Sequence, residues 1–340
     1  MLTFLHSIFI ILVILVIITD FNLKYKNILF VIIILFLVFF AGLRSDSSDR
    51  DYQNYLQMFD EAPNINAEPF FVLISGIIKS TIGNVPIVLF LVFSSLSLII
   101  KFFAIKRLTD YWFISIFIYF SYYYILHDLT QIRVGVASAF LLLLVFPIYD
   151  RSFTKFLIIC LLASCFHYSA IVFLFLWFLK KGLNKKTLLL MIPLGYVLYF
   201  INFNPVISIP IGNISDKLNV YNALMEEYSE RQNINVFNLF FLLKILIYYF
   251  LLFKYNSWKH LSKYSSLILS IFGISIFSFL FFAKFPIVAF RVSELLGVIE
   301  IVLFTFIYDL FKPKLIGITL LLIIGAVYFY TLIYNIKIIS

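Results

Sequence analysis

Apolar runs follow one another along almost the whole chain, parted by short polar stretches. They cover residues 2–19, 28–43, 85–100, 111–126, 132–149, 156–179, 187–203, 236–253, 265–282, 287–310 and 315–334. A membrane-crossing helix needs about 20 apolar residues, so the pattern predicts a polytopic bundle of transmembrane helices. Two segments depart from it. Residues 69–82 are apolar but too short for a crossing, and Ser75, Gly76 and Lys79 interrupt them. Residues 156–179 are long enough but carry Ser164, His167, Tyr168 and Ser169 at their middle.

The composition agrees. Of the 340 residues 63% are hydrophobic and 13% charged, with a mean hydropathy of +1.06, whereas charged residues make up about a quarter of a soluble domain. The expected fold class is all-α, one integral membrane domain over residues 1–340. Met1 has no basic segment behind it and no small-residue cleavage site ahead, so the first run is expected to stay as a span. Phe 43 and Tyr 22 accompany many Ile, Asn and Lys in every segment, a drift of AT-rich codons and not a set of binding platforms. Cys160 and Cys165 share one apolar run and lack metal-ligand spacing.

A net charge of +9 would point to nucleic acid in a soluble protein. Here the excess lies in short loops and sets orientation by the positive-inside rule. Lys24/Lys26, Lys101/Lys106/Arg107, Arg151/Lys155, Lys180/Lys181/Lys185/Lys186, Lys254/Lys259/Lys263 and Lys312/Lys314 are all expected on the cytoplasmic side. An even number of crossings must then separate each pair of neighbours. That parity holds if residues 69–82 and 156–179 each enter the bilayer and return to the side they left, as broken segments do where they line an enclosed cavity. The expectation is ten crossings and two re-entrant elements. Twelve ordinary spans would instead place the second and third of these loops outside.

With this topology residues 44–68 and 204–235 are external loops. Fourteen of nineteen lysines fall inside, while Arg44, Arg50, Arg133, Arg231 and Arg291, five of seven arginines, fall outside. A guanidinium is a planar fork that matches phosphate and carboxylate oxygens. The loop that begins at Arg44 also holds Asp46, Asp49, Asp51 and Asp60, more charge than a connector needs.

Several residues are candidates for chemistry. Arg133 enters the membrane above Gly135, Ala137, Ser138 and Ala139, small residues that let a neighbour or a ligand approach; snorkelling to headgroups is the alternative. Arg291 lies in an apolar stretch, where ionisable residues mark functional sites, but Glu294 is within helical reach for a structural pair. His167 sits at the middle of the broken segment. Glu68 opens the short one, where the N-terminal dipole of a helix would favour it. Asp51 can also be a solvated loop charge. No phosphate-binding glycine loop, zinc signature or nucleophilic triad is present. Hydrophobicity and charge lead to an external, arginine-lined cavity for an anionic, lipid-linked ligand.

Five stretches in order resemble the EpsG-like family of polysaccharide polymerases, which includes many Wzy-type O-antigen and capsule polymerases. They are Arg44 with Asp51, Asn54 and Tyr55; Glu68-Pro-Phe-Phe; Gln131-Ile-Arg133 with Gly135 and Ala137; Phe166-His167-Tyr168-Ser169-Ala170; and Arg291. The family has a glycine two residues before the Asp51 position, and this chain has Asp49, followed by Arg50. The added charge pair bears on which sugar is accepted or on the conformation of the loop.

The resemblance implies a multi-pass plasma-membrane glycosyltransferase of GT-C-like architecture with its site on the periplasmic face. A hydroxyl at the non-reducing end of one undecaprenyl-diphosphate-linked oligosaccharide would attack the anomeric carbon of another. Arg133 and Arg291 would receive the diphosphate, with Arg44 in support or at the acceptor. Asp51, Glu68 and His167 are the candidate bases, left unranked. No metal or other cofactor is implied; a chain-length regulator is a candidate partner and nucleic acid is not. An O-antigen ligase shares architecture and donor, while a flippase should show repeated halves, of which no sign is visible.

Overall fold

The computed structural model describes residues 1–18, 23–44, 49–203 and 234–336. The long polar stretch expected outside, 204–235, therefore lies outside the described residues apart from its last two, as do residues 45–48. Among the described residues there are helices and no strand, so the all-α expectation is met. Four helices are long and apolar enough to cross a membrane, at 25–42, 86–108, 132–149 and 314–334, and shorter apolar helices surround them. Large side chains such as Phe178 and Leu239, 76% and 85% exposed, line the outer surface, as a lipid-facing wall requires.

In chain order the helices are α1 (Leu2–Ile17), α2 (Leu23–Gly42), α3 (Tyr52–Glu61), α4 (Pro69–Thr81), α5 (Pro86–Leu108) and α6 (Trp112–Tyr119), which continues as a π-helix, Phe120–Asp128. Then come α7 (Ile132–Tyr149), α8 (Phe153–Phe166), a 3₁₀ helix at Tyr168–Leu179, α9 (Lys185–Phe200) and α10 (Leu239–Phe253). The chain ends with α11 (Tyr255–Trp258), α12 (Ser265–Phe281), α13 (Pro286–Gly297), α14 (Glu300–Leu303), a second 3₁₀ stretch at Phe304–Leu310, and α15 (Lys314–Tyr330), extended by a π-helical Thr331–Ile336. Proline opens α4, α5 and α13, where its missing N–H costs nothing. The Asn184 and Asn238 side chains cap α9 and α10 by accepting from Thr187 and Phe241 N–H groups, the usual device for a helix start.

The bundle has two chemically distinct ends. Lys106 Nζ donates to the Asn27 amide at 2.8 Å, and the Arg107 guanidinium lies 4.5 Å from the Phe146 ring. Lys181 and Lys263 each approach Tyr149 at 5.4 Å, and Arg151 stacks on Trp177 at 3.8 Å. The basic loops thus collect where α5 and α7 finish. At the other end, about 30 Å away by the rise of the 20-residue α2, Arg44 stacks on Phe90 at 4.1 Å. Gly42 permits this packing: a Cβ there would meet Leu91 of α5 at 2.4 Å.

Of the two odd segments one turns back, and the other, α4, is one unbroken helix of 13 residues. α8 stops at His167, whose extended backbone (φ −155°, ψ 117°) breaks the helix. The chain then returns as the 3₁₀ helix until Trp177 meets Phe153 and Phe156 at about 5 Å and its carbonyl accepts from Arg151. Helix α4 starts beside Tyr55, with Phe71 6.1 Å away, and ends where Lys79 donates to the Asp60 and Ala62 carbonyls. Asn84, beyond it, donates to the Asp60 carboxylate at 3.2 Å, so α4 begins and ends at the Arg44 end.

The segment 44–68, expected as an external loop, is not loop throughout: ten of its residues form α3, which buries Tyr52, Tyr55 and Phe59 and sets Tyr52 on Phe90 and Tyr55 beside Phe71. Apolar residues spaced three and four apart make such a face. Lys101 is not a loop lysine either. α5 runs on past the apolar stretch, and Lys101 is fully buried in it, 0% exposed, donating to Asp128 at 2.7 Å and Ser97 at 2.8 Å. Ser97 and Tyr119 hydroxyls also donate to Asp128.

A buried pair of this kind is costly to break on one side but not to replace as a whole. Lys101→Met should destabilise the purified protein by about 3–5 kcal/mol, and Lys101→Met with Asp128→Leu by much less, as read from unfolding in detergent. Equal losses for both variants would mean that the pair is not what holds α5 to the π-helix.

Candidate active site

Three side chains distant in sequence meet at the Arg44 end. Glu68 precedes α4 and its side chain makes no bond to the helix start, so it does not act as a cap. Its carboxylate accepts from Arg133 Nη1 at one oxygen and faces His167 Nδ1 at 3.1 Å with the other. Arg133 stands in the first turn of α7 and His167 at the break after α8. The aromatic faces of Tyr55 and Phe71 flank the guanidinium at 5.5 and 5.7 Å from its centre. Phe166, next to His167, stacks with Phe70, next to Phe71, at 4.8 Å, so ring packing fixes the approach of α4 to α8.

Burial alone would raise the Glu68 carboxyl. The His167 hydrogen bond and the Arg133 charge outweigh it and hold the group down at about 2. A carboxylate ionised at neutral pH can only accept, so His167 Nδ1 carries the proton of their hydrogen bond. His167 Nε2 and Arg133 Nε are buried and have no hydrogen-bond partner. Unmet polar atoms in an apolar interior are expensive, and these two belong to the two partners of one carboxylate.

Asp51 stands at the start of α3 and its carboxyl makes no cap bond. Burial pushes its pKa up and Asp49 adds to the rise, while Arg133, Arg44 and Arg291 pull against it. Of the six expected residues, Glu68, Arg133 and His167 are in direct contact, and Arg133, Arg44 and the exposed Arg291 all act on Asp51 through charge. No carboxylate among the described residues lies within ion-pairing distance of Arg291. Glu294 interacts instead with Tyr122 and Lys244, which removes the structural pair left open from sequence.

Arg44 is differently employed. Its side chain is fully buried, Nε donates to Asp49 at 2.9 Å and Nη1 to the Ala41 carbonyl at 2.9 Å. Asp49 also accepts from the Asp51 backbone N–H at 2.9 Å. Arg50 does not pair with Asp49 but reaches the Ile336 carbonyl at 2.8 Å. Asp49 thus ties Arg44 to the backbone of Asp51.

A second polar network, missed from sequence, lies deeper. Lys244 donates to Glu300 at 3.2 Å among the rings of Tyr122, Tyr123, Phe240 and Tyr328, and Tyr328 also donates to Glu300. His127 is fully buried with neither ring nitrogen partnered. A Cβ on Gly135, two residues past Arg133, would lie 3.0 Å from the Asp128 carboxylate, so this glycine lets α7 close on the network. The rule that singled out Arg291 applies equally to Lys101, Asp128 and Lys244. Among the described residues no three or more His, Cys, Asp or Glu side chains gather to hold a metal.

The family model that matches this chain is that of the EpsG family, over residues 27–340. Neither a curated protein nor a solved structure matches.

Because the folded value of Glu68 lies below the usual 4.5, its contribution to stability is complete above that pH and is lost only as pH falls through about 2. At neutral pH Glu68→Gln should therefore cost about 1–3 kcal/mol. Arg133→Ala added to it should cost less than Arg133→Ala alone, with a coupling of about 0.5–3 kcal/mol in detergent unfolding. Strict additivity would mean that the two side chains do not interact.

Proposed function

Since the chain belongs to the EpsG family, a family of polysaccharide polymerases, we propose that the Glu68–Arg133–His167 cluster joins lipid-linked oligosaccharides at the outer face of the bacterial plasma membrane. The observation that carries the reading is the shared carboxylate: it holds a phosphate-binding cation and a base side by side, each with an unmet polar atom.

In this mechanism the donor is a sugar chain on undecaprenyl diphosphate and the acceptor is the non-reducing end of a second such chain. The acceptor hydroxyl attacks the anomeric carbon and passes its proton to His167 Nε2. The new C–O bond forms as the bond from the anomeric carbon to the diphosphate oxygen breaks, and that electron pair leaves with the diphosphate. Arg133 and Arg291 meet the developing charge, where fixed cations shielded from water are most effective. Glu68 orients the imidazole and fixes its tautomer. This ranks the three candidate bases: Glu68, held ionised by two donors, is a weak one, and Asp51, with its raised pKa and three nearby arginines, suits an acceptor hydroxyl. Arg44 works through Asp49 to hold Asp51. The prenyl chain lies against the apolar outer helices, and the product is an O-antigen or a related polysaccharide.

What supports the outer placement is the basic end of the bundle opposite the cluster, since basic loops are kept on the cytoplasmic side. With Cys160 and Cys165 replaced by serine, a thiol reagent that does not cross membranes should label Gln57→Cys, exposed on α3, and spare Ser257→Cys.

In cells, Arg133→Ala and Arg291→Ala at normal protein levels should lower long-chain polysaccharide by about 10²–10³-fold, leaving single repeats outside. Normal chain length in both would refute the diphosphate assignment. Repeats trapped inside would point to transport, and unattached lipid-linked repeats outside to a ligase.

A further inference from the structure

The basic end of the bundle holds a separate cavity of about 220 Å³ between the end of α1, the start of α2 and the start of α6. Leu15, Val16 and Ile18 form its apolar wall, with Lys26, Asp110 and Trp112 opposite. Trp112 is only 8% exposed, yet its indole N–H has no acceptor. Two ammonium groups flank the same ring, Lys26 at 4.2 Å and Lys106 at 4.7 Å. Each is held by a neutral oxygen, the Asp110 carbonyl at 2.7 Å and the Asn27 amide at 2.8 Å. Among the described residues Asp110 contributes the one carboxylate of the cavity wall, so Lys26, Lys106 and Asp110 together leave one positive charge.

Helix α6 starts here without a side-chain cap, and a helix start adds further positive potential. An unmet donor, an uncompensated cation and a helix start converge on a group that is anionic and accepts hydrogen bonds. The apolar wall adds a second requirement. It continues into the exposed face of α1, Ile14 and Ile17, which offers a hydrocarbon chain somewhere to lie; a free anion would make no use of it.

We propose that this cavity binds one anionic phospholipid, its phosphodiester at Lys26, Lys106 and the Trp112 indole N–H and an acyl chain along Leu15, Val16 and Ile18. The site lies a full helix length from the arginine cluster, and its occupancy does not depend on the reaction there. Its effect is to tie the starts of α2 and α6 and the end of α5 to the membrane surface.

The test is the thermal unfolding midpoint of the full chain in an uncharged detergent, titrated with phosphatidylglycerol and, separately, with inorganic phosphate. The lipid should raise the midpoint saturably and phosphate at equal concentration should not. Lys26→Gln/Lys106→Gln should need about 25-fold more lipid for the same effect, about fivefold for each lysine. Trp112→Phe, which keeps the ring and removes only the donor, should need about two- to tenfold more. An undiminished lipid response in both variants, each running as a single species on size exclusion, overturns the proposal. So does inorganic phosphate reproducing the whole shift, since the apolar wall would then have no part.

Discussion

One carboxylate, that of Glu68, accepts from an arginine at the start of α7 and faces a histidine at the break after α8. Each of its partners would be a liability alone: a guanidinium and an imidazole in an apolar bundle need an acceptor, and a buried carboxylate needs donors. Together they hold three chain segments in one register and leave Arg133 Nε and His167 Nε2 unmet. The local break in helical structure at His167 is what presents the imidazole there; a continuous helix would carry it past Glu68.

The rest of the bundle gives this cluster a fixed base. Lys101 and Asp128 join α5 to the π-helix below it, and Gly135 lets α7 approach Asp128 without a Cβ in the way. Arg44, Asp49 and the backbone of Asp51 fix the start of α3, while its aromatic face rests on Phe71 and Phe90. Charge is also sorted by end: lysines and their aromatic partners gather where α5 and α7 finish, and the phosphate-suited arginines gather opposite. In the proposed reaction that sorting links fold to function, because a lipid-linked donor delivered to the outer leaflet would meet the arginine end first.

Much of this was legible in the sequence, for physical reasons that differ by feature. Apolar run lengths mark helices because an unsatisfied backbone cannot cross hydrocarbon, and the polar residues at 164–169 marked the break at His167. Side-chain identity was enough to single out Glu68, Arg133 and His167 as separate candidates, but not to show that they touch, since 65 and 99 residues part Glu68 from the other two. The pairing of Arg44 with Asp49 was not legible, because sequence shows a cation without its partner. Lys101 was misread because an apolar window ends at the first lysine even where the helix continues. The 3₁₀ return from His167 has no residue signature: it follows from how the second arm packs back toward Arg151.

The central claim is that Glu68 serves catalysis through His167 and donor binding through Arg133. It is tested most directly by glycan transfer with purified wild-type and Glu68→Gln protein at neutral pH. The account predicts that in Glu68→Gln the rate at saturating donor falls by about 10²-fold or more and the donor KM rises. A Glu68→Gln protein that keeps the wild-type rate and donor KM would contradict it.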